Sequence, residues 1–287
     1  MNSATPPNSP LPKPTGLVTV IRPTTGPIPP RLGELWAYRE LFVFLVKRDV
    51  KVRYAQTALG AAWMIFQPLA MMGVYTFAFS HLGSVSTTGL PYPVFALAGL
   101  VLWIFISRGV FLGADSLISN LSLVTKTSCP RILLTLAAVV GVLVDLLVAL
   151  ALFLALSAAY GIYPTWRFAM VLPLVLVAFV LVFGLALLLA AMNVRYRDVA
   201  QALPFLIQLW FFLSPVAYLL ITPGRSWETI IQGANPAVGL ILAFRWALLA
   251  TAPPRGLFVA SLVVTAFFVI LGLWYFSRAE RTIADDI

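Results

Sequence analysis

The sequence predicts an all-α integral membrane protein: six transmembrane helices, an N-terminal amphipathic interface helix, and a short re-entrant helical hairpin before the last span. Three observations carry this. The 287 residues are 61% hydrophobic and 10% charged, with a mean hydropathy of +0.97, whereas a soluble domain runs near 45–50% apolar and about 25% charged. The apolar residues gather into six runs long enough to cross about 30 Å of hydrocarbon at about 1.5 Å per residue. The basic residues gather on alternate connections between those runs, as they do in oriented membrane proteins.

Residues 1–30 contain nine prolines, a density that excludes helix and predicts an extended, disordered tail. Residues 31–58 follow as the interface segment. Within it, on a helical wheel over Gly33–Ala55, Leu35, Tyr38, Phe42, Leu45 and Val46 share one face. Glu40, Lys47, Arg48 and Lys51 share the other, the pattern of a helix lying in the interface. The six-span domain occupies 59–280. Its spans are Trp63–Leu82, Val94–Asn120, Ile132–Tyr160, Phe168–Met192, Val199–Ile221 and Leu257–Ser277. Ala237–Ala250 is too short to cross, so residues 226–251 are expected to form an outer-leaflet re-entrant hairpin. Residues 281–287 form a cytoplasmic tail. No basic stretch followed by a short apolar run opens the sequence, so insertion is expected to rely on the first span.

Orientation follows from charge. With both termini in the cytoplasm, fourteen of the nineteen Lys and Arg residues fall on the inner side and four on the outer side, with Arg108 inside a span. That asymmetry predicts a multi-pass protein of the cytoplasmic (inner) membrane. The net charge of +9 lies beside apolar spans, where it meets lipid headgroups; no nucleic-acid module accompanies it.

Several chemistries lack their residues. None of the four lysines follows a glycine, so there is no G-x-x-x-x-G-K-[ST] phosphate loop. One histidine, His81, leaves H-E-x-x-H without its partner, and G-x-S-x-G is absent. The single cysteine, Cys129, cannot form an internal disulfide. No bound cofactor or metal and no catalytic residue is expected on this chain. Any energy from ATP, with its magnesium, would therefore have to come from another polypeptide.

The cytoplasmic segments are the most informative. RDVKVRYAQTALGAAWMIFQP, beginning at Arg48, NLSLVTKTSCPR (Asn120–Arg131) and NVRYRD (Asn193–Asp198) follow one another in order. After them come Phe212, Ser214, Pro215, Val216 and Tyr218, then Asn235–Pro236 and Phe244–Arg245. Together they resemble the permeases of type-two ABC exporters over roughly residues 31–280. The likeness is to the branch that moves O-antigen, capsular polysaccharide or teichoic acid on a polyprenyl lipid. Cys129 stands where that family usually has phenylalanine.

The resemblance implies a homodimer carrying two copies of a separate nucleotide-binding ATPase. A polyprenyl-linked glycan would be taken from the inner leaflet. The ATPase-coupling residues would be Asn120, Leu123, Val124, Lys126, Pro130 and Arg131, with Arg195, Tyr196, Arg197 and Asp198 as a second contact. Leu123 and Val124 would offer an apolar knob, Lys126 and Arg131 charges for an acidic rim. Lys47, Arg48, Lys51 and Arg53 would receive the lipid phosphate, Arg through its planar fork. Trp103, Phe105, Arg108, Trp210, Phe212 and Tyr218 are the candidates to line the conduit. Arg108 and Asp145, otherwise unmatched in apolar spans, are expected to pair.

Three rivals remain at this level. An exporter of a small hydrophobic substrate fits the spans but not the cytoplasmic segments. An ion-coupled secondary transporter would show internal inverted repeats and paired buried acids, which the sequence lacks. A membrane glycan-processing enzyme would need clustered carboxylates, and the ten acids are scattered.

Overall fold

The computed structural model describes residues 36–55, 60–82, 89–126, 129–196, 198–218 and 226–280. The proline-rich tail 1–30, residues 31–35 and 56–58 of the interface segment, Arg197 and the tail 281–287 lie outside the described residues. Ten α-helices follow one another: α1 (Arg39–Tyr54), α2 (Trp63–Leu82), α3 (Tyr92–Asp115), α4 (Leu121–Lys126), α5 (Ile132–Ala159), α6 (Val171–Arg195), α7 (Asp198–Phe212), α8 (Ser226–Ala234), α9 (Pro236–Leu249) and α10 (Arg255–Ala279). Among the described residues there is no strand.

Five helices are long and apolar enough to cross a membrane, and they carry α2, α3, α5, α6 and α10. The fifth expected span is different. Its helix, α7, ends after 15 residues, about 22 Å at 1.5 Å per residue, and residues 213–218 continue as turns and bends. That turn is tied to the start of α3: the hydroxyl of Tyr92, first residue of α3, donates to the Ala217 carbonyl at 2.6 Å. Helix and irregular backbone together therefore run from the α1 end of the bundle to the opposite end. Pro204 lies inside α7 and removes one backbone donor there.

Helix α3 is the axis of the fold. Every residue from Val94 to Ile106 is buried, because α2, α5, α6, α7 and α9 all pack around it. Small residues make the close approaches. A Cβ on Gly109 would meet Val182 Cγ1 at 2.5 Å, and one on Gly113 would meet the Ala186 methyl. Gly109-Val-Phe-Leu-Gly113 is thus a small-xxx-small seam against α6. At the α6–α10 crossing, a Cβ on Gly272 would run into the Gly184 carbonyl, and one on Gly184 would reach the Val269 backbone at 2.8 Å. Overpacking of this kind costs about 1–3 kcal/mol. Gly272→Ala should therefore lower the melting temperature in detergent by several degrees. Gly73→Ala, with nothing within 4 Å of the added Cβ, should leave it unchanged.

The interface helix departs from its expected pose. Leu45, with Tyr38, Phe42 and Val46 around it, packs in one cluster with Ile132, Leu133 and Leu187. Further along, Val50 and Arg53 approach Gly141, and Arg53 and Tyr54 reach Asp145. The contacts climb from residue 132 to residue 145 of α5, about 20 Å, so α1 lies along α5. The face assigned to lipid is the face that packs on protein, since a 3.6-residue stripe specifies an apolar neighbour without naming it. Lys47 and Lys51 remain exposed on the other side.

Candidate substrate-access and coupling site

The chemistry-bearing residues collect at the α1 end of the bundle. Asp145, on α5 and 3% exposed, is the centre. Its Oδ2 accepts from Arg53 Nη1 at 2.8 Å and Arg108 Nη1 at 3.1 Å; its Oδ1 accepts from the Tyr54 hydroxyl at 2.6 Å. The expected Arg108–Asp145 pair is present, and Arg53 shares it. Burial first, and then the hydrogen bond to Asp145, push the Tyr54 hydroxyl above its ordinary value near 10, so it stays a donor at neutral pH. Two guanidinium groups on one carboxylate leave one positive charge over. Arg108 lies 16 residues from the start of α3, about 24 Å, and Asp145 lies 13 residues from the start of α5, about 20 Å.

A second link ties α1 to the α3–α5 connection. Arg48 Nη2 donates to Asp49 Oδ1 at 2.7 Å and to Asn120 Oδ1 at 2.6 Å. Asn120 in turn donates from Nδ2 to the Ser116 carbonyl at 2.8 Å. On the far side of the connection, Arg131 Nη1 donates to the Glu280 carbonyl at 2.6 Å. Helix α4 thus hangs between the first described helix and the end of the last. At the neighbouring helix end, Asn193 Nδ2 donates to the Ala114 carbonyl at 3.2 Å, and Arg195, Tyr196 and Asp198 are exposed.

Some expected roles change. Val124 is 5% exposed and packs inward with Leu117 and Ile132, and Leu123 packs against the same cluster. Leu121, 37% exposed, is the apolar residue that α4 presents outward. Asn120 is likewise turned inward, holding Arg48. Pro130 is half-buried and Lys126 closes α4. Of the four basic residues expected to meet lipid phosphate, Lys47 and Lys51 are exposed, while Arg48 and Arg53 are engaged in internal pairs.

The aromatic candidates divide in the same way. Trp103 and Phe105 are 3% and 0% exposed. Trp103 packs edge-on against Trp210 and Phe211, so neither ring lines a path along the surface of this protomer. Phe212 is 61% exposed, and Tyr218 donates to its carbonyl at 3.1 Å. Trp210 donates from Nε1 to Asn235 Oδ1 at 2.8 Å, and Asn235 Nδ2 donates to Ser214 Oγ at 3.0 Å. The α8–α9 pair is thereby fastened to the end of α7.

Arg245, counted from the sequence as an outer charge, is inside the fold and 1% exposed. It donates to the carbonyls of Pro215 (2.7 Å), Val216 and Tyr218 (3.4 Å), and its guanidinium lies 3.8 Å from the Phe95 ring centroid. It satisfies the irregular backbone that follows α7. The signal that could have placed it is its position among apolar residues of a helix too short to reach water.

Comparison with known proteins adds three findings. Residues 40–249 match the family described as ABC-2 type transporter. The chain is 35% identical over 214 residues, 74% of its own length and 81% of the relative's, to a Myxococcus xanthus protein named O-antigen export system permease protein RfbA. It is 26% identical over 250 residues, 86% and 94% of the two lengths, to a Klebsiella pneumoniae protein of the same name.

Proposed function

Because this chain belongs to the ABC-2 type transporter family, in the branch of polysaccharide-export permeases, we propose that it is the transmembrane subunit of an ATP-driven exporter of a polyprenyl-linked cell-envelope glycan such as O-antigen. The observation that carries the reading is the match over 40–249 in a chain with no phosphate loop of its own: the motor resides on a nucleotide-binding partner.

The working assembly is two copies of this chain and two of the ATPase, in the inner membrane with both termini cytoplasmic. Under the topology expected from the sequence, and with Arg245 set aside as buried, fourteen basic residues fall on the inner side and three on the outer, which supports that orientation. The faces of α2 and α7 support the dimer and its lipid surround, since Phe66, Val74 and Phe77 on one, and Phe205, Leu206 and Phe212 on the other, are exposed. The surplus positive charge at Arg53 and Arg108, with Lys47 and Lys51 nearby in sequence, suits a lipid pyrophosphate arriving at the inner leaflet. Leu121 and the exposed Arg195–Tyr196 pair offer the ATPase an apolar contact and a charged rim.

The experiment is co-purification and export with the ATPase subunit. The chain is expected to bring down the ATPase, and a hydrolysis-dead ATPase to stop export. Leu121→Asp should abolish the pull-down at an unchanged melting temperature. Export that continues with the dead ATPase would sink the reading.

A further inference from the structure

At the end of the bundle remote from α1, a crevice of about 410 Å³ opens between α6, α9 and the start of α10. That volume lies within the range of about 300–1,000 Å³ typical of small-molecule sites. Its walls are apolar, formed by Met170, Leu174, Val177, Trp246, Pro254 and Phe258. Such sites usually add a few placed polar groups to fix orientation; here the polar element is at the rim.

Arg167 supplies it. Its guanidinium lies 5.6 Å from the ring centroid of Trp246, a wall of the crevice, and none of the salt bridges among the described residues involves it. Arg167 sits in the 3₁₀ turn Trp166–Met170, which leads into α6. Beside that turn Tyr163 and Trp166 are 70% and 74% exposed. Exposed Tyr and Trp side chains at the end of apolar helices mark the headgroup layer, so the mouth of the crevice stands where lipid phosphates are. The first turn of α10 begins beside it at Arg255, and its free N–H groups also favour an anion.

We infer that this crevice is a phospholipid site: one acyl chain lies between α6 and α9, and the phosphate is held at the rim by Arg167. The occupant is a lipid because the groove pairs a wholly apolar interior with a cation, Arg167, at its rim. Neither a soluble anion nor an apolar peptide would use both parts. The site is independent of the glycan-export reading and would stand if that reading failed.

The test is native mass spectrometry of the full-length chain, stripped of lipid in detergent and titrated with phosphatidylglycerol or with diacylglycerol of the same chains. Wild type should retain one phosphatidylglycerol per copy of this chain and release diacylglycerol. Arg167→Ala should weaken retention by about tenfold, the equivalent of one charge-assisted contact, whereas Arg167→Lys should keep most of it. Val177→Phe, which fills the groove and leaves the arginine, should weaken retention as much as Arg167→Ala. Equal retention by wild type, Arg167→Ala and Val177→Phe would overturn the site, and so would diacylglycerol binding as tightly as phosphatidylglycerol. Cross-linking of two copies through Met170→Cys would place a second chain in the groove and overturn it too.

Discussion

Asp145→Asn should destabilise the chain more than loss of either arginine that shares the carboxylate. Removing one member of a buried ion pair costs about 3–5 kcal/mol because the other charge is left uncompensated. Here two charges are left, Arg53 and Arg108, at side-chain exposures of 16% and 28%. Partial exposure lets water screen them and lowers the cost to about 3 kcal/mol. Arg108→Met leaves the 2.8 Å Arg53 pair and the 2.6 Å Tyr54 hydrogen bond intact, and should cost about 1 kcal/mol. Arg53→Met should fall between them, because it also releases the end of α1 from α5. The double variant Asp145→Asn/Arg108→Met should recover part of the loss, since residues sharing one network are not additive. Melting temperatures in detergent and the amount of protein in the membrane give the order. Arg108→Met proving worse than Asp145→Asn would show that Asp145 is not the centre of the network.

Arg245→Met should be comparably damaging, for a different reason. Among the described residues no acid pairs with this guanidinium; its partners are the carbonyls of Pro215, Val216 and Tyr218. A buried acceptor stripped of its donor costs about 1–3 kcal/mol, and methionine strips more than one. Lysine should not rescue, because an ammonium cannot reproduce the planar fork or lie flat on the Phe95 ring. Gly99→Ala should reproduce the defect from the other side, its Cβ arriving 2.6 Å from Arg245 Nη2 and against the Val216 carbonyl. All three variants are expected to melt lower and export less. A wild-type melting temperature in Arg245→Lys would show that charge alone, without the fork, holds the turn.

Much of this was legible in the sequence, and the parts that were not share a cause. Hydropathy located all five long helices and the short Pro236–Leu249 helix, because length against bilayer thickness is a one-dimensional measurement. It carried the fifth span past the end of α7, since the stretch 213–218 is apolar enough to continue the helix and the backbone instead turns onto Arg245. Charge counting marked Arg108 and Asp145 as needing partners, but nothing along the chain told that Arg53 would reach the same carboxylate from 92 positions away. The wheel drawn over Gly33–Ala55 found the apolar face of α1 and misassigned its neighbour. The family resemblance assigned Val124, Trp103 and Phe105 to surfaces, and the fold buries all three. The Gly109–Gly113 spacing was readable as a helix-packing seam and was the clearest signal left unused.

The suspension of α4 sets how motion can spread. Six residues, Leu121–Lys126, are strapped at one side by an amide to Arg48 and at the other by Arg131 to the Glu280 carbonyl. A push on so small a piece cannot be absorbed locally; it is delivered at once to opposite flanks of the bundle. The piece behaves as a lever whose reach is set by the stiffness of two side-chain tethers, so the first and last described helices are geared to move in step.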